Sequence, residues 1–249
     1  MSNWIKISIS SIKPEDLDIG FVRFKGVHMH LLELFDQDSL QVQQFIKNCV
    51  TILECINKVL TDIKYPFDKF GKPTNHHVYK AFKKIGNIYH RSFMNKTDYW
   101  QKASETVWLK MGDCEDSSIL MHTIFLMRNI DCLWCIGLVY LNNKLLGGHG
   151  WEVAKLNGKF RLIETTLEQP VPSINFFPEV NINETVWKWK RLTYVPILTL
   201  WKKDELWLNK EFLFCSFNIK DVVMRYLSYK VISRKLRANK LIRKHILEE

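Results

Sequence analysis

The sequence predicts an α+β domain in which a helix that begins at a cysteine packs on an antiparallel sheet. One observation is segment 114–129, which is apolar on nearly every side and therefore predicts a buried helix. The other is Asn157-Gly158, which lies between two segments of alternating polarity and is typical of a β-hairpin. The cysteine helix precedes the hairpin, so the chain is expected to run from helix into sheet.

Composition limits the class of protein. The chain has 249 residues, of which 47% are hydrophobic and 25% are charged, and these values exclude a wholly disordered or collagen-like chain. No apolar run approaches the roughly 18 residues that span a bilayer, and the N-terminus lacks the layout of a signal peptide. The six cysteines are too few for a disulfide scaffold of this size. We therefore expect a cytoplasmic protein with no transmembrane segment.

The first thirty-five residues show short apolar alternations and no long helix signal, and helices are predicted from Asp38 onward. Asp38 or Ser39 can cap a helix whose apolar stripe runs from Val42 to Leu60, and the helix should end before Pro66. A loop is expected over 68–75, followed by helices over about 77–93 and 102–110.

The second half is predicted to supply the sheet. The continuous apolar run 132–140 has the length of a central strand, and 149–156 and 159–165 alternate as half-buried strands do. Residues 170–200 mix proline, asparagine and aromatic residues, which indicates wrapping loops and strands.

The C-terminal residues 219–249 predict a long basic amphipathic helix. More than half of the net charge of +10 lies there, because this segment holds nine basic and three acidic side chains. Its apolar side is formed by Val223, Leu227, Val231 and Leu236. The basic side fits a solvated face, a helix that docks a protein partner, or a polyanion contact.

Cys114 occupies a position that activates a thiol. It directly follows Asp113, which is a good N-cap, and the unpaired N–H groups of a helix start favour a thiolate and can stabilise an oxyanion. The acidic neighbours Glu115 and Asp116 oppose this effect, so the thiol needs a cationic partner. His149 lies among Gly147, Gly148 and Gly150 and is the natural candidate.

The hairpin predicts a carboxylate beside this histidine. If Asn157-Gly158 is a two-residue turn, Leu156 pairs with Lys159 and Glu164 lies opposite Trp151. Glu164 and His149 are then diagonal neighbours on one face, roughly 7 Å apart. A carboxylate in that place would fix the tautomer of the imidazole and stabilise its cation.

Three motifs together resemble the microbial branch of the transglutaminase-like cysteine-protease superfamily, which has a papain-like α+β fold. They are Gly112-Asp113-Cys114-Glu115-Asp116-Ser117-Ser118, Gly148-His149-Gly150-Trp151 and Leu162-Ile163-Glu164-Thr165-Thr166. Upstream segments add to the resemblance, namely Thr74-Asn75-His76-His77-Val78-Tyr79, Tyr99-Trp100 and Glu105-Thr106. It implies a catalytic domain over 1–218, with a core of about 65–170, and a helical extension over 219–249.

The resemblance also implies roles for single residues. Cys114 would be the nucleophile, His149 the general base and Glu164 the orienting acid, while Trp100 would assist the oxyanion site. The supporting residues would be Asp113, Asp116 and Trp151. Two positions depart from the family pattern: many relatives have aspartate where this chain has Glu164, and alanine is common where it has Gly150.

The expected function is cysteine-dependent amide hydrolysis of a protein or peptide substrate. Transfer of the acyl group to an amine, as in a transglutaminase, and a non-catalytic binding or assembly module remain alternatives. No cofactor and no metal are expected. Cys132 and Cys135 have the spacing of a redox or metal pair, but on a strand they would point to opposite faces, and His76-His77 lacks partner ligands at suitable spacing.

Overall fold

The computed structural model describes residues 3–22, 28–65, 100–212, 218–234 and 238–248. These residues form a mixed α+β structure with a seven-stranded antiparallel sheet, so the predicted fold class is confirmed. The predicted loop 68–75 and helix 77–93 lie outside the described residues, as do His76, His77, Tyr99 and Cys215.

The sheet has the strand order β1-β7-β6-β2-β3-β4, and β5 pairs with β6. The strands are β1 Trp4–Ser8, β2 Cys132–Leu141, β3 Lys144–Leu156, β4 Lys159–Ile163, β5 Trp187–Trp189, β6 Leu192–Trp201 and β7 Glu205–Asn209. The helices are α1 Leu40–Phe45, α2 Ile52–Asp62, α3 Ala103–Leu109, α4 Cys114–Met127, α5 Ile219–Arg234 and α6 Ala238–Leu247. Short 3₁₀ turns cover Ile9–Ser11, Pro14–Leu17, Gly20–Val22, Leu31–Leu34, Ile174–Phe176 and Lys210–Phe212.

Two helices, α1 and α2, stand where the sequence predicted one. Ser39 caps α1 by accepting a hydrogen bond from the N–H of Val42 at 3.5 Å. Thr51 starts α2, because its Oγ1 accepts from the N–H of Glu54 at 3.2 Å and Glu54 accepts from the N–H of Thr51 at 2.9 Å. This reciprocal capping box stabilises a separate helix start, so the single-helix prediction is wrong.

Helix α4 lies at the centre of the molecule, packed against β2 and β3. Its residues from Cys114 to Phe125 are all buried, as its uniform apolar character predicted. A hydrogen bond of 2.9 Å from the indole N–H of Trp134 to Ser118 Oγ ties the helix to β2.

The β3–β4 hairpin has the predicted register. Leu156 pairs with Lys159, and the pairing continues to Glu152 opposite Ile163. Asn157 and Gly158 have φ angles of 51° and 79°, the left-handed values that a tight primed turn requires.

Gly137 on β2 leaves the space that Trp151 occupies. A Cβ there would lie 2.3 Å from the carbonyl oxygen of Val195 and 2.8 Å from the Trp151 ring. The β2–β6 pairing also shifts register between Ile136 and Gly137, which accommodates Pro196 in β6.

Helix α5 packs on β3 and therefore belongs to the core. Ile219, Val223 and Tyr226 are fully buried, and Leu227 is half-buried. Of the predicted apolar stripe, Leu236 and the side chain of Val231 are outside the part that the structure describes. None of the described helices combines the length and the apolar character that crossing a membrane requires.

Candidate active site

Cys114 is the first residue of α4, and the helix start is held by Asp116. One carboxylate oxygen of Asp116 accepts from the backbone N–H of Gln101 at 2.8 Å. The other accepts from the Gln101 side chain at 2.9 Å and from the N–H of Asp113 at 3.1 Å. Burial and the charge of Asp113 raise the pKa of Asp116 well above its ordinary value. Asp116 therefore supports the start of α4 through its hydrogen bonds from Gln101 and Asp113.

Gly112, the first residue of the cysteine motif, stands where there is no room for a side chain. A Cβ at this position would lie 2.6 Å from the Cβ of Asp116 and 3.2 Å from Cγ2 of Thr106. Any larger residue would displace the carboxylate that organises the helix start.

The Cys114 thiol, which is 1% exposed, donates a hydrogen bond to Oε2 of Glu115 at 3.0 Å. The other oxygen of Glu115 accepts a hydrogen bond from the hydroxyl of Tyr226 on α5. Glu115 is itself fully buried. The C-terminal helix thus reaches the candidate nucleophile through one side chain, a contact that the sequence analysis missed.

The predicted contact between His149 and Glu164 is present. His149 Nε2 lies 2.7 Å from Glu164 Oε2, and both side chains are fully buried. Glu164 also accepts from the N–H and the hydroxyl of Thr166, at 3.1 Å and 2.7 Å, and from the hydroxyl of Tyr194 at 3.2 Å. Burial alone would raise the pKa of Glu164, but the charge of His149 and the hydrogen bonds from His149 and Thr166 hold it below its ordinary value. Glu164 is therefore an anion.

The second ring nitrogen of His149 has a different environment. Nδ1 is buried and has no hydrogen-bond partner among the described residues, and the same is true of the indole nitrogen of Trp151. The rings of His149 and Trp151 stack with centroids 6.3 Å apart. A carboxylate can only accept, so Nε2 carries a proton, and in the neutral form of the ring the lone pair is on Nδ1.

His149 Nδ1 makes no hydrogen bond to the Cys114 thiol. The thiol is turned to Glu115 instead. The two halves of the site nevertheless meet at Gly150, the residue after His149. A Cβ at Gly150 would lie 3.1 Å from the carbonyl oxygen of Cys114 and 3.1 Å from the N and Cα of Glu115. Only a glycine lets the first turn of α4 approach β3 this closely without a shift.

Trp100 lies in the aromatic packing above the helix start. It is fully buried, with ring centroids 5.6 Å from Trp134 and 6.4 Å from Tyr226. Its suggested assistance to an oxyanion stays a prediction.

A second buried polar cluster lies further along α4. His122 contacts Glu152 with Nδ1 at 2.9 Å and the carbonyl oxygen of Lys202 with Nε2 at 2.8 Å. Ligand atoms of His122, Cys132 and Glu152 all lie within 4.8 Å of one another, and so do those of Asp113, Cys114 and Glu115. His122, Glu152 and Tyr226 could not be predicted from the sequence, because their partners come from distant parts of the chain.

Comparison with known proteins yields one distant likeness. No protein-family model matches the chain. No curated protein matches it either. A solved structure from Cytophaga hutchinsonii, described as a "Putative Cysteine Protease", is 13% identical, with a TM-score of 0.36. The match covers 71% of this chain and 53% of that protein, so the chain spans about half of its length.

Proposed function

We propose that the chain is a cysteine-dependent amide hydrolase of the transglutaminase-like type, which acts on protein or peptide substrates through a thioester. The observation that carries this proposal is the buried His149–Glu164 pair. His149 Nδ1 has no hydrogen-bond partner within the described part of the chain, and His149 directly precedes Gly150, which contacts the start of α4. A histidine with a purely structural role would not need such a ring nitrogen.

The proposed reaction assigns one proton acceptor. His149 Nδ1 takes the proton of the Cys114 thiol, and the resulting thiolate attacks the carbonyl carbon of the amide. The imidazolium, stabilised by Glu164, then protonates the leaving amine as the carbon–nitrogen bond breaks. Water attacks the thioester with His149 as base, which releases the carboxylic acid and restores the thiol. The N–H groups of the first turn of α4 would stabilise the oxyanion, with Trp100 beside them.

The structure represents a resting arrangement in this scheme. The thiol donates to Glu115, so the sulfur has to leave Glu115 and turn to His149 before the chemistry begins. Catalytic contacts are often loose in a free enzyme and tighten when substrate binds. Tyr226 holds Glu115 in place through its other oxygen.

An iodoacetamide pulse read by mass spectrometry tests the proposal. Cys114 should be alkylated much faster at neutral pH than Cys55, which is a matched control because it is also buried and burial raises its pKa to about 11. Cys114→Ala should remove activity with little change in melting temperature. Equal labelling of the two thiols would contradict the proposal and favour a non-catalytic module.

A Glu115→Gln variant extends the same experiment. Removing a carboxylate beside the thiol favours the thiolate, so we expect alkylation of Cys114 to be about tenfold faster, equal to about 1.4 kcal/mol. If unalkylated enzyme incubated with a peptide amide forms a thioester whose decay is accelerated by primary amines, the reaction is acyl transfer of the transglutaminase type instead of hydrolysis.

A further inference from the structure

The second polar cluster brings three kinds of metal-ligating atom together in the core. His122 comes from α4, Cys132 is the first residue of β2, and Glu152 lies on β3. All three are fully buried, and their ligand atoms lie within 4.8 Å of one another. His122 lies eight residues after Cys114 on the same helix, about 12 Å along the axis, so the cluster is separate from the candidate active site.

The histidine is oriented as a metal ligand would be. Its Nε2 lies 2.8 Å from the carbonyl oxygen of Lys202, which can only accept, so Nε2 carries the proton and donates it. The lone pair of the neutral ring is therefore on Nδ1, which faces Glu152. A ligating histidine usually donates its other N–H to a backbone carbonyl or a carboxylate in this way.

Glu152 supports a metal site independently of the orientation of His122. Its Oε2 is buried and has no hydrogen-bond partner among the described residues. Buried polar atoms are nearly always satisfied, because a lost hydrogen bond costs about 1–3 kcal/mol. A cation bound between Nδ1, the Cys132 sulfur and this carboxylate would satisfy that oxygen.

The charges of the three ligands match a divalent ion. A neutral imidazole, a thiolate and a carboxylate carry two negative charges, which a dication neutralises among three fully buried side chains. Nitrogen and sulfur donors select Zn²⁺ over Mg²⁺ and Ca²⁺, which prefer oxygen.

We propose that His122, Cys132 and Glu152 form a Zn²⁺ site that joins α4 to β2 and β3, with a water as the fourth ligand. Binding breaks the S–H bond of Cys132 and the O–H bond of Glu152 and releases both protons to solvent, with no change in oxidation state. The site could not be predicted from the sequence, because the spacing of its ligands along the chain is not typical of zinc sites and the ligands come together only in the folded protein.

Metal binding by the full-length chain tests the site. Chelator-treated protein is titrated with Zn²⁺ under native mass spectrometry and with Co²⁺ in the visible spectrum. We expect one Zn²⁺ per chain, release of about two protons per ion near neutral pH, and a thiolate-to-cobalt charge-transfer band.

Cysteine variants locate the bound ion. Cys132→Ala should lose the charge-transfer band and the zinc stoichiometry, whereas Cys135→Ala should keep both, because Cys135 is equally buried but does not belong to the group of ligand atoms, and its thiol donates a hydrogen bond to the carbonyl oxygen of Leu133. Cys114→Ala should also keep both. If Cys132→Ala fails to fold, Glu152→Gln supplies the same test through zinc affinity. A wild-type chain without stoichiometric zinc, or loss of the band in Cys114→Ala, would overturn the assignment.

Discussion

Strand β3 contributes to two buried histidine–carboxylate pairs that look alike and behave differently. In one pair His149 of β3 contacts Glu164 at 2.7 Å, and in the other Glu152 of β3 contacts His122 at 2.9 Å. All four side chains are fully buried. Their pair distances and burial therefore do not explain why the two carboxylates differ in charge.

The difference lies in the partner imidazole and in the other hydrogen-bond donors. Burial acts against ionisation of Glu164, but the charge of His149 and the hydrogen bonds from His149 and Thr166 hold its pKa below the ordinary value. Glu152 has one oxygen without a partner among the described residues, and burial raises its pKa well above the ordinary value. A nearby positive charge and donors that hydrogen bond to the ionised form together keep a buried carboxylate an anion.

The two imidazoles differ in a corresponding way. Both nitrogens of His122 are engaged, and burial lowers its pKa to about 3, so the ring is neutral over the physiological range. His149 has one nitrogen bound to an anion and one nitrogen that is unbonded among the described residues. Only His149 of these two is therefore arranged to accept and return a proton, and only its pair fits general base catalysis.

The largest expected effect comes from neutralising the anionic carboxylate. Glu164→Gln should keep the fold and reduce turnover of a peptide amide by about 10⁴-fold, the effect of the equivalent amide substitution in a serine triad. The amide no longer stabilises the imidazolium and can favour the wrong tautomer. Steady-state hydrolysis of a fluorogenic peptide measures the loss.

Glu179→Gln is the matched control for this prediction. Glu179 is half exposed and pairs with exposed Lys159 and with buried Arg161, and it contacts neither His149 nor Glu164, so its neutralisation should leave turnover unchanged. A fully active Glu164→Gln enzyme would show that the triad assignment is wrong, even if Cys114 proves reactive.

The His122–Glu152 pair predicts an unusual pH dependence of stability in chelator-treated protein. The ordinary pKa values of the glutamate and the histidine are about 4.5 and 6.5. Between these values the unfolded pair holds one proton, on the histidine, and the folded pair also holds one, on the carboxyl. Because both states bind the same number of protons, this pair does not make the free energy of unfolding depend on pH in this range. Above pH 6.5, until the raised pKa of folded Glu152 is reached, the folded pair retains a proton that the unfolded pair loses, and stability falls by about 1.4 kcal/mol per pH unit.

Below pH 4.5 the sign reverses. The unfolded pair holds two protons and the folded pair one, so stability falls as the pH is lowered until His122 is protonated at about pH 3. Urea unfolding across this range measures the profile. Glu152→Gln should abolish the loss above pH 6.5, while Glu179→Gln should retain it. Equal profiles in the two variants would contradict a neutral His122 beside a protonated Glu152.

The parts of the molecule that the sequence predicted are those determined by local rules. Asn157-Gly158 specifies a tight turn, and the two-residue period of strands then places Glu164 beside His149. The burial of α4 follows from its apolar character in the same way. The break between α1 and α2 was also visible locally, as Thr51 followed by Glu54 three residues later.

The contacts that could not be predicted join distant segments. Tyr226 lies 111 residues from Glu115, and His122 lies 30 residues from Glu152. Periodicity indicates which face of a helix is buried, but it does not indicate which residue of another element it meets. The central position of β6 was missed for a related reason, because Pro196 weakens the strand pattern and is tolerated only at the register shift beside Gly137.

The smallest expected effect comes from a substitution at Gly150. Gly150 lies between His149 and Glu152 on β3, and an added Cβ there would lie 3.1 Å from backbone atoms of Cys114 and Glu115. Gly150→Ala should therefore push the start of α4 away from β3, destabilise the protein by about 1 kcal/mol, and slow alkylation of Cys114 by less than tenfold.

Gly158→Ala is the control. Its added Cβ would have no atom within 4 Å, but the substitution strains a φ of 79°, at a similar cost of about 1 kcal/mol. Both variants should keep the pH profile of the His122–Glu152 pair, and only Gly150→Ala should change Cys114. Unchanged labelling in Gly150→Ala would mean that this approach of α4 to β3 does not position the thiol.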